Sequence, residues 1–197
     1  MTDKLLNDFV LVGGTALALR LGHRISVDID LFTNQNFNAN LLFEELQRNY
    51  GFTPDFVAEN TIKGEINEVI VDCLAHRYQW IENCSIIDEI RLAGLKDIAA
   101  MKLNAISGNG TRLKDFIDIA YLSTKLSLNE MLQAYQKKYS SNPIIALKSI
   151  VFFEDINFDE PILMAGGKTF QWKEIETRLK QMVNTPDKIF ENQPANS

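Results

Sequence analysis

Val10-Leu-Val-Gly-Gly-Thr-Ala-Leu-Ala-Leu-Arg-Leu-Gly-His-Arg-Ile-Ser-Val-Asp-Ile-Asp-Leu-Phe32 is the stretch on which the fold turns. Phe9 to Val12 is a short apolar run that stops at Gly13-Gly14, which predicts a buried strand entering a tight turn. Thr15 to Leu21 then reads as a short helix closed by Gly22. Two glycines between strand and helix remove the β-carbons that would keep a polyanion off the backbone, and the amides of the helix's first turn face that space. The junction is therefore a candidate phosphate seat. Val27 to Phe32 predicts a second strand, whose period of two puts Asp28 and Asp30 on one face and Val27, Ile29 and Leu31 on the other. Residues two apart on a strand lie roughly 7 Å apart, so the two carboxylates converge on one small region. Converging anions repel unless a cation lies between them or one takes a proton. Hard oxygen ligands beside a phosphate seat point to magnesium.

The rest of the chain bounds this reading. With 197 residues it is long enough for one domain with a sizeable core, or one domain with a small helical annex. Hydrophobic content of 46% and charged content of 23% are ordinary for a globular protein. No apolar run approaches the roughly 18 residues of a membrane span, and Met1 to Phe9 carries two acids without a signal-like apolar core, so a cytoplasmic protein away from membranes is expected. Cys73 and Cys84 have no metal-ligand spacing and no disulfide is expected; Cys73 reads as a small core residue. A net charge of −6 argues against a broadly basic nucleic-acid surface and leaves a local one open.

Downstream, Asn38 predicts the N-cap of a helix running to Gly51. Phe52 to Ala58 and Thr61 to Gly64 are broken strand candidates, followed by a stronger one over Glu68 to Ala75. Asp72 is the sole charge within Val69 to Ala75, hence either a partnered buried acid or a ligand; Glu65 and Glu68 sit in more turn-like sequence. Gly94 to Ile106 predicts a helix with an apolar stripe of Leu95, Ile98, Ala99, Ala105 and Ile106, and Lys102 falls inside it. Its ammonium either snorkels to solvent or is aimed inward at a phosphate. Arg112 to Ser123 is a helix apolar nearly all round, so Asp115 and Asp118 need partners. They either hold Lys102, Arg24 or Arg112 in place or bind a nucleotide. Ser127-Leu-Asn-Glu130 is a capping box opening a helix to Tyr139; Asn142-Pro143 starts another through Val151, and Trp172 to Met182 is a last amphipathic one. The elements predict an α+β fold with a mixed sheet flanked by helices. Residues 1–90 form the α/β core, 91–183 a helical region that packs on it and completes the site, and 184–197 a frayed tail.

Gly13-Gly14 followed by Asp28-Ile-Asp30 resembles the signature of the polymerase-β-like nucleotidyltransferase superfamily, and the whole quoted string is similar to the AbiEii/AbiGii toxin family of type IV toxin–antitoxin systems. The resemblance is strongest over residues 9–32 and clear over 92–122, where Met-Lys-Leu around Lys102 and Lys114-Asp-Phe-Ile-Asp118 match family blocks. It implies a nucleotidyltransferase-type sheet and a third metal-binding acid on a later strand, for which Asp72 stands in the matching place. It also implies magnesium-dependent transfer of a nucleoside monophosphate from a nucleoside triphosphate. In that mechanism Gly13, Gly14 and Thr15 hold the triphosphate, and Asp28, Asp30 and Asp72 hold two metal ions. Asp72 accepts the acceptor's proton and Lys102 adds positive charge. Thr15 reads equally as a first-turn helix hydroxyl, and Arg24 and Ser26 either reach phosphates or brace the loop. The acceptor implied is RNA, such as a tRNA end, or a protein, and the partner an antitoxin. Two other classes compete: a catalytically silent nucleotide-binding module acting through a partner, and a small-molecule transferase of the antibiotic-modifying type.

Overall fold

The computed structural model describes residues 4–194; Met1 to Asp3, part of the leader reading, and residues 195–197, part of the expected tail, lie outside the described residues. A short 3-10 turn over Lys4–Leu6 precedes the first strand, β1 (Val10–Leu11). Helix α1 (Gly13–Leu21), strand β2 (Ile29–Thr33) and helix α2 (Ala39–Tyr50) follow. Strands β3 (Thr53–Ala58), β4 (Thr61–Ile66), β5 (Val69–Ala75), β6 (Ser85–Ile87) and β7 (Ile90–Leu92) complete one sheet in the order β3-β4-β5-β2-β1-β7-β6. The β2–β5 and β1–β7 pairs are parallel and the others antiparallel, so the sheet is mixed, as expected. The helical region comprises α3 (Leu95–Gly108), α4 (Leu113–Leu122), α5 (Leu128–Tyr139), α6 (Pro143–Ser149) and α7 (Trp172–Asn184).

Local signals place most of these boundaries. Asn38 caps α2 by accepting from the Leu41 amide at 3.1 Å, and Gly51 closes that helix with a φ of 70°. The capping box of Ser127 and Glu130 is formed in both directions at the start of α5. Two boundaries in the signature differ from expectation. Helix α1 begins at Gly13, so both glycines belong to its first turn. Strand β2 begins at Ile29, where pairing with Val71 of β5 starts; ahead of it the Thr15 hydroxyl donates to the Asp28 carbonyl at 2.5 Å, a side-chain bond in place of a ladder bond. Val27, left without a partner strand, is exposed.

Helix α3 packs against α5, α4 and α6, and α1 lies against α3 and α4. Every residue of α4 except Lys114 is buried, with Phe116, Ile117, Ile119 and Tyr121 among the largest fully buried side chains. That is the nearly all-round apolar helix the sequence describes, and it carries Asp115 and Asp118 into the core. Cys73 lies buried on β5 and Cys84 is exposed; both are free thiols, and burial beside Asp72 pushes the Cys73 thiol up to about 12.

Two features were not anticipated. The β6–β7 hairpin turns through Asp88 and Glu89 (φ 47° and 63°), lacking the glycine that usually announces a type I′ turn. Between 184 and 194 the stretch expected as a tail makes contacts with the helical region. Asn129 donates its amide to the Pro186 carbonyl at 3.0 Å, the Phe190 amide donates to Ser123 at 2.9 Å, and the Phe190 ring is buried beneath the Arg178 guanidinium, 4.2 Å away. A single aromatic in a polar stretch supplies the apolar contact that composition concealed.

The β4–β5 turn also has both central residues left-handed, Asn67 and Glu68 (φ 50° and 66°). Asn tolerates this region and Glu does not. Glu68→Gly is expected to raise stability by about 0.5–1 kcal/mol, the left-handed cost less the entropy glycine adds to the unfolded chain. Thermal unfolding would then show a melting temperature about 1–4 °C higher; an unchanged or lower one would mean the turn carries no strain.

Candidate active site

The strand-to-helix junction is tight because side chains fold over it. Gly13 has a φ of 68°, and a Cβ there would meet Asp30 Oδ2 at 2.2 Å. A Cβ on Gly14 would meet Arg24 Nη2 at 2.3 Å and Ser26 Oγ at 3.0 Å. The glycines thus admit a carboxylate and a guanidinium against the first turn of α1. Thr15 faces the other way as a brace, its hydroxyl 3.0 Å from Ser26 Oγ and bonded to the Asp28 carbonyl. Arg24 and Ser26 lie in the connection between α1 and β2. That connection is pinned by the Ile25 amide donating to Leu163 at 2.7 Å and the Ala165 amide donating to His23 at 3.1 Å.

Behind the junction sits a buried charge cluster centred on Asp118. Arg24 grips it with Nε at 2.7 Å and Nη2 at 2.9 Å, His23 Nε2 approaches at 2.8 Å, and Lys102 Nζ at 2.8 Å. Lys102 also donates to Asp115 Oδ1 at 2.6 Å. Burial by itself would raise the Asp118 carboxyl. The Lys102 charge and hydrogen bonds from Arg24 and His23 outweigh that and hold it well below the usual carboxylate range. Burial likewise opposes the Lys102 and Arg24 charges, and their carboxylate partners, Asp118 foremost, win and raise both. In this geometry Asp118 holds Lys102 and Arg24, and Asp115 holds Lys102 while also lining the cavity. His23 escaped the sequence reading, although its place beside Arg24 was a signal that both side chains could serve one acid.

In front of the junction is a cavity of about 290 Å³. Gly13, Gly14, Arg24, Ser26, Asp28, Asp30, Lys102 and Asp115 line it; Thr15, Asp72 and Asp118 do not. Asp28 reaches the cavity although it precedes β2. Burial raises the Asp30 carboxyl, Lys102 opposes that, and the like charges of Asp72 and Asp28 add to it. Asp72 is the register partner of Asp30 across the parallel β2–β5 pair, but Lys63 Nζ holds its Oδ2 at 2.5 Å. No group of three or more acidic, histidine or cysteine side chains is gathered for a metal among the described residues. The donor set of Asp28 and Asp30 still fits magnesium, which commonly takes one or two carboxylates and fills its shell from water and phosphate oxygens.

The cavity has lining that the sequence reading missed. Arg112 is half exposed at its rim, with Nε 3.9 Å from Asp115 Oδ2, and Lys114 is paired to Glu160 at 2.6 Å. Phe32, His76, Met101, Asn104 and Tyr139 also belong to the lining. Period-two spacing from Asp30 to Phe32 and from Asp72 to His76 was the available signal for two of these.

A glycine junction, paired acids on adjoining strands and a lysine-bearing helix over them are arranged as the quoted motifs require. The sequence matches the family described as "Nucleotidyl transferase AbiEii toxin, Type IV TA system" over residues 1–80 and 55–192. The chain belongs to that family. An uncharacterized protein of Aquifex aeolicus (strain VF5) is 32% identical over 189 residues, covering 90% of this chain and 87% of its own length. A crystal structure described as a "putative nucleotidyltransferase from H. pylori" superposes with a TM-score of 0.60 at 17% identity, covering 93% of this chain and 88% of that one. JHP933 from Helicobacter pylori gives 0.58 at 16% identity, with 93% and 85% covered. At those identities the likeness is one of fold, and the fold is of the nucleotidyltransferase type expected. No helix among the described residues is long and apolar enough to cross a membrane.

In this AbiEii chain, Asp118 and Asp30 are expected to respond oppositely to neutralisation. Asp118→Asn leaves Lys102 and Arg24 buried with too little negative charge, a loss of about 3–5 kcal/mol in denaturant unfolding. The folded state raises the Asp30 pKa, so ionised Asp30 subtracts stability at neutral pH. Asp30→Asn therefore raises the melting temperature at pH 7. The gain fades below the unfolded carboxyl value of about 3.9, where both states hold the proton. A fall for Asp30→Asn, or no change for Asp118→Asn, would contradict this distribution of charge.

Proposed function

We propose that this chain transfers a nucleoside monophosphate from a nucleoside triphosphate to a hydroxyl of an RNA, such as a tRNA end, or of a protein. The observation that carries the reading is one cavity in which Asp28 and Asp30 face Arg24, Lys102, Arg112 and Lys114. Two acids without a close cation, beside Arg24, Lys102 and Lys114 already paired to Asp118, Asp115 and Glu160, suit a ligand that brings phosphates and a metal ion together. A small-molecule transferase for cationic antibiotics would want a rim of acids, and the half-exposed charge at this rim is Arg112.

In this reading Arg24 and Lys102 enter the reaction already oriented, because Asp118 and Asp115 fix them, and they stabilise charge on the triphosphate without reorganising. Gly13 and Gly14 serve the triphosphate through the side chains they admit, since the space they leave holds Asp30 and Arg24 against the first turn of α1. Asp28 and Asp30 would hold magnesium, which supplies neutralisation of the phosphates and polarisation of the α-phosphorus. A second ion would draw on Asp72, which Lys63 now holds. The acceptor oxygen bonds to the α-phosphorus as the bond to the bridging oxygen breaks, diphosphate leaves with that bond's electron pair, and the hydroxyl proton passes to water; Asp72, outside the cavity lining, would take it only on release from Lys63. Membership of a type IV toxin family supports a separately encoded antitoxin as partner.

The test is incubation with each α-labelled nucleoside triphosphate, magnesium and total cellular RNA, resolved on a gel that separates RNA from protein. Label is expected with wild type and is expected to fall at least 1,000-fold in Asp28→Ala/Asp30→Ala, about 4 kcal/mol of transition-state stabilisation. That variant remains folded, since it removes repulsion. Equal labelling by the double variant would end the assignment of these acids.

A further inference from the structure

We propose that the aromatic end of the cavity, formed by Phe32, His76 and Tyr139, seats the nucleobase of the incoming nucleoside triphosphate. The inference rests on the transferase reading and adds where the base goes. Its starting point is register. Asp30 and Phe32 occupy the same face of β2, and Asp72, Leu74 and His76 follow the same alternation through β5 and just beyond it. Because Phe32 pairs with Leu74, His76 lies one step past Phe32, and the rings meet at 5.3 Å with planes 30° apart. The carboxylates and the aromatic wall are thus displaced along the strands by roughly 7 Å, a span that one ribose bridges.

Tyr139, the last residue of α5, presents its ring edge-on to His76 at 5.8 Å, with its hydroxyl 3.2 Å from His76 Nε2. Tyr78 backs both rings at 4.7 Å each. Burial, with Lys138 adding to it and Asp97 opposing, pushes the His76 imidazole down to about 4, so the wall is uncharged at neutral pH. Exposed Asn104 in the lining offers an amide with both donors and an acceptor. Flat uncharged rings beside a free amide fit a heteroaromatic base better than a second phosphate or an aliphatic chain.

The wall is also rigidly mounted. Asp97 on α3 accepts from the Ile81 and Glu82 amides and is paired to Lys138 Nζ at 2.8 Å; Lys138 in turn donates to the Gln79 carbonyl at 3.2 Å. This fully buried pair ties residues 79–82 to α3 and α5, and the nucleotidyl-transfer reading gives it no other task. Holding His76 and Tyr78 against Tyr139 is a task it performs in this geometry.

Equilibrium binding at pH 7 with magnesium tests the assignment, using the four ordinary nucleoside triphosphates and inorganic tripolyphosphate as probes. Wild type is expected to bind at least one nucleoside triphosphate more tightly than tripolyphosphate. His76→Ala is expected to weaken that nucleotide by about tenfold and to leave tripolyphosphate unchanged, and His76→Phe, which keeps a stacking surface, to restore most of the difference. Circular dichroism of each variant, with Tyr139→Leu as a second truncation of the wall, separates lost stacking from lost folding. Equal weakening of nucleotide and tripolyphosphate, or no weakening of either, would overturn the base seat while the transferase reading stands. Failure of wild type to bind any of the probes would overturn both.

Discussion

Asp118 is a carboxylate with no exposure to solvent, and the rest of the site depends on how its charge is matched. An unpaired buried anion is so costly that the chain must bring cations to it. It brings Arg24 from the connection after α1 and Lys102 from α3, and His23, just past the glycine helix, adds a ring nitrogen at hydrogen-bond distance. Those partners come from parts of the sequence up to 95 residues away, so one ionic cluster staples the signature region to the helical region. The two halves expected as core and annex are therefore joined at the site itself.

The cluster also decides what the cavity offers. Arg24 and Lys102 face it with their geometry already set, so they present positive charge at fixed positions. Asp28 and Asp30 face it without a comparable ion pair, and burial foremost, with the charges of Asp72 and Asp28 adding to it, raises the Asp30 carboxyl. A magnesium-bound triphosphate would offset both the burial and the like charge. Asp72 differs from its register partner because Lys63, on the neighbouring strand, already matches its charge.

Local chemistry made much of this legible in the sequence. The Gly13-Gly14 junction, the Asn38 and Ser127 caps and the Gly22 and Gly51 terminators each act within one helical turn, and each element stands close to where those residues put it. Asp28 and Asp30 line one cavity, although Asp28 stands just outside the strand on which the period-two argument placed it. Partner choice was not legible. Nothing local tells that Lys63 takes Asp72, that Thr15 braces the Asp28 carbonyl, or that His76 meets Tyr139 across 63 positions. The β6–β7 hairpin was hidden by its length and by Asp88-Glu89 in a turn that favours Asn-Gly, and the docking of the tail by having one buried aromatic, Phe190, and backbone hydrogen bonds that leave no mark in the sequence.

The central claim is that Asp28 and Asp30 form the unmatched half of a nucleotide site whose cationic half is matched by Asp118. Calorimetric titration of wild type with a nucleoside triphosphate, with and without magnesium at fixed ionic strength, addresses it most directly. The account predicts affinity at least tenfold higher with magnesium, about 1.4 kcal/mol, because without the ion the phosphates meet two carboxylates. Equal or weaker binding in magnesium would contradict it.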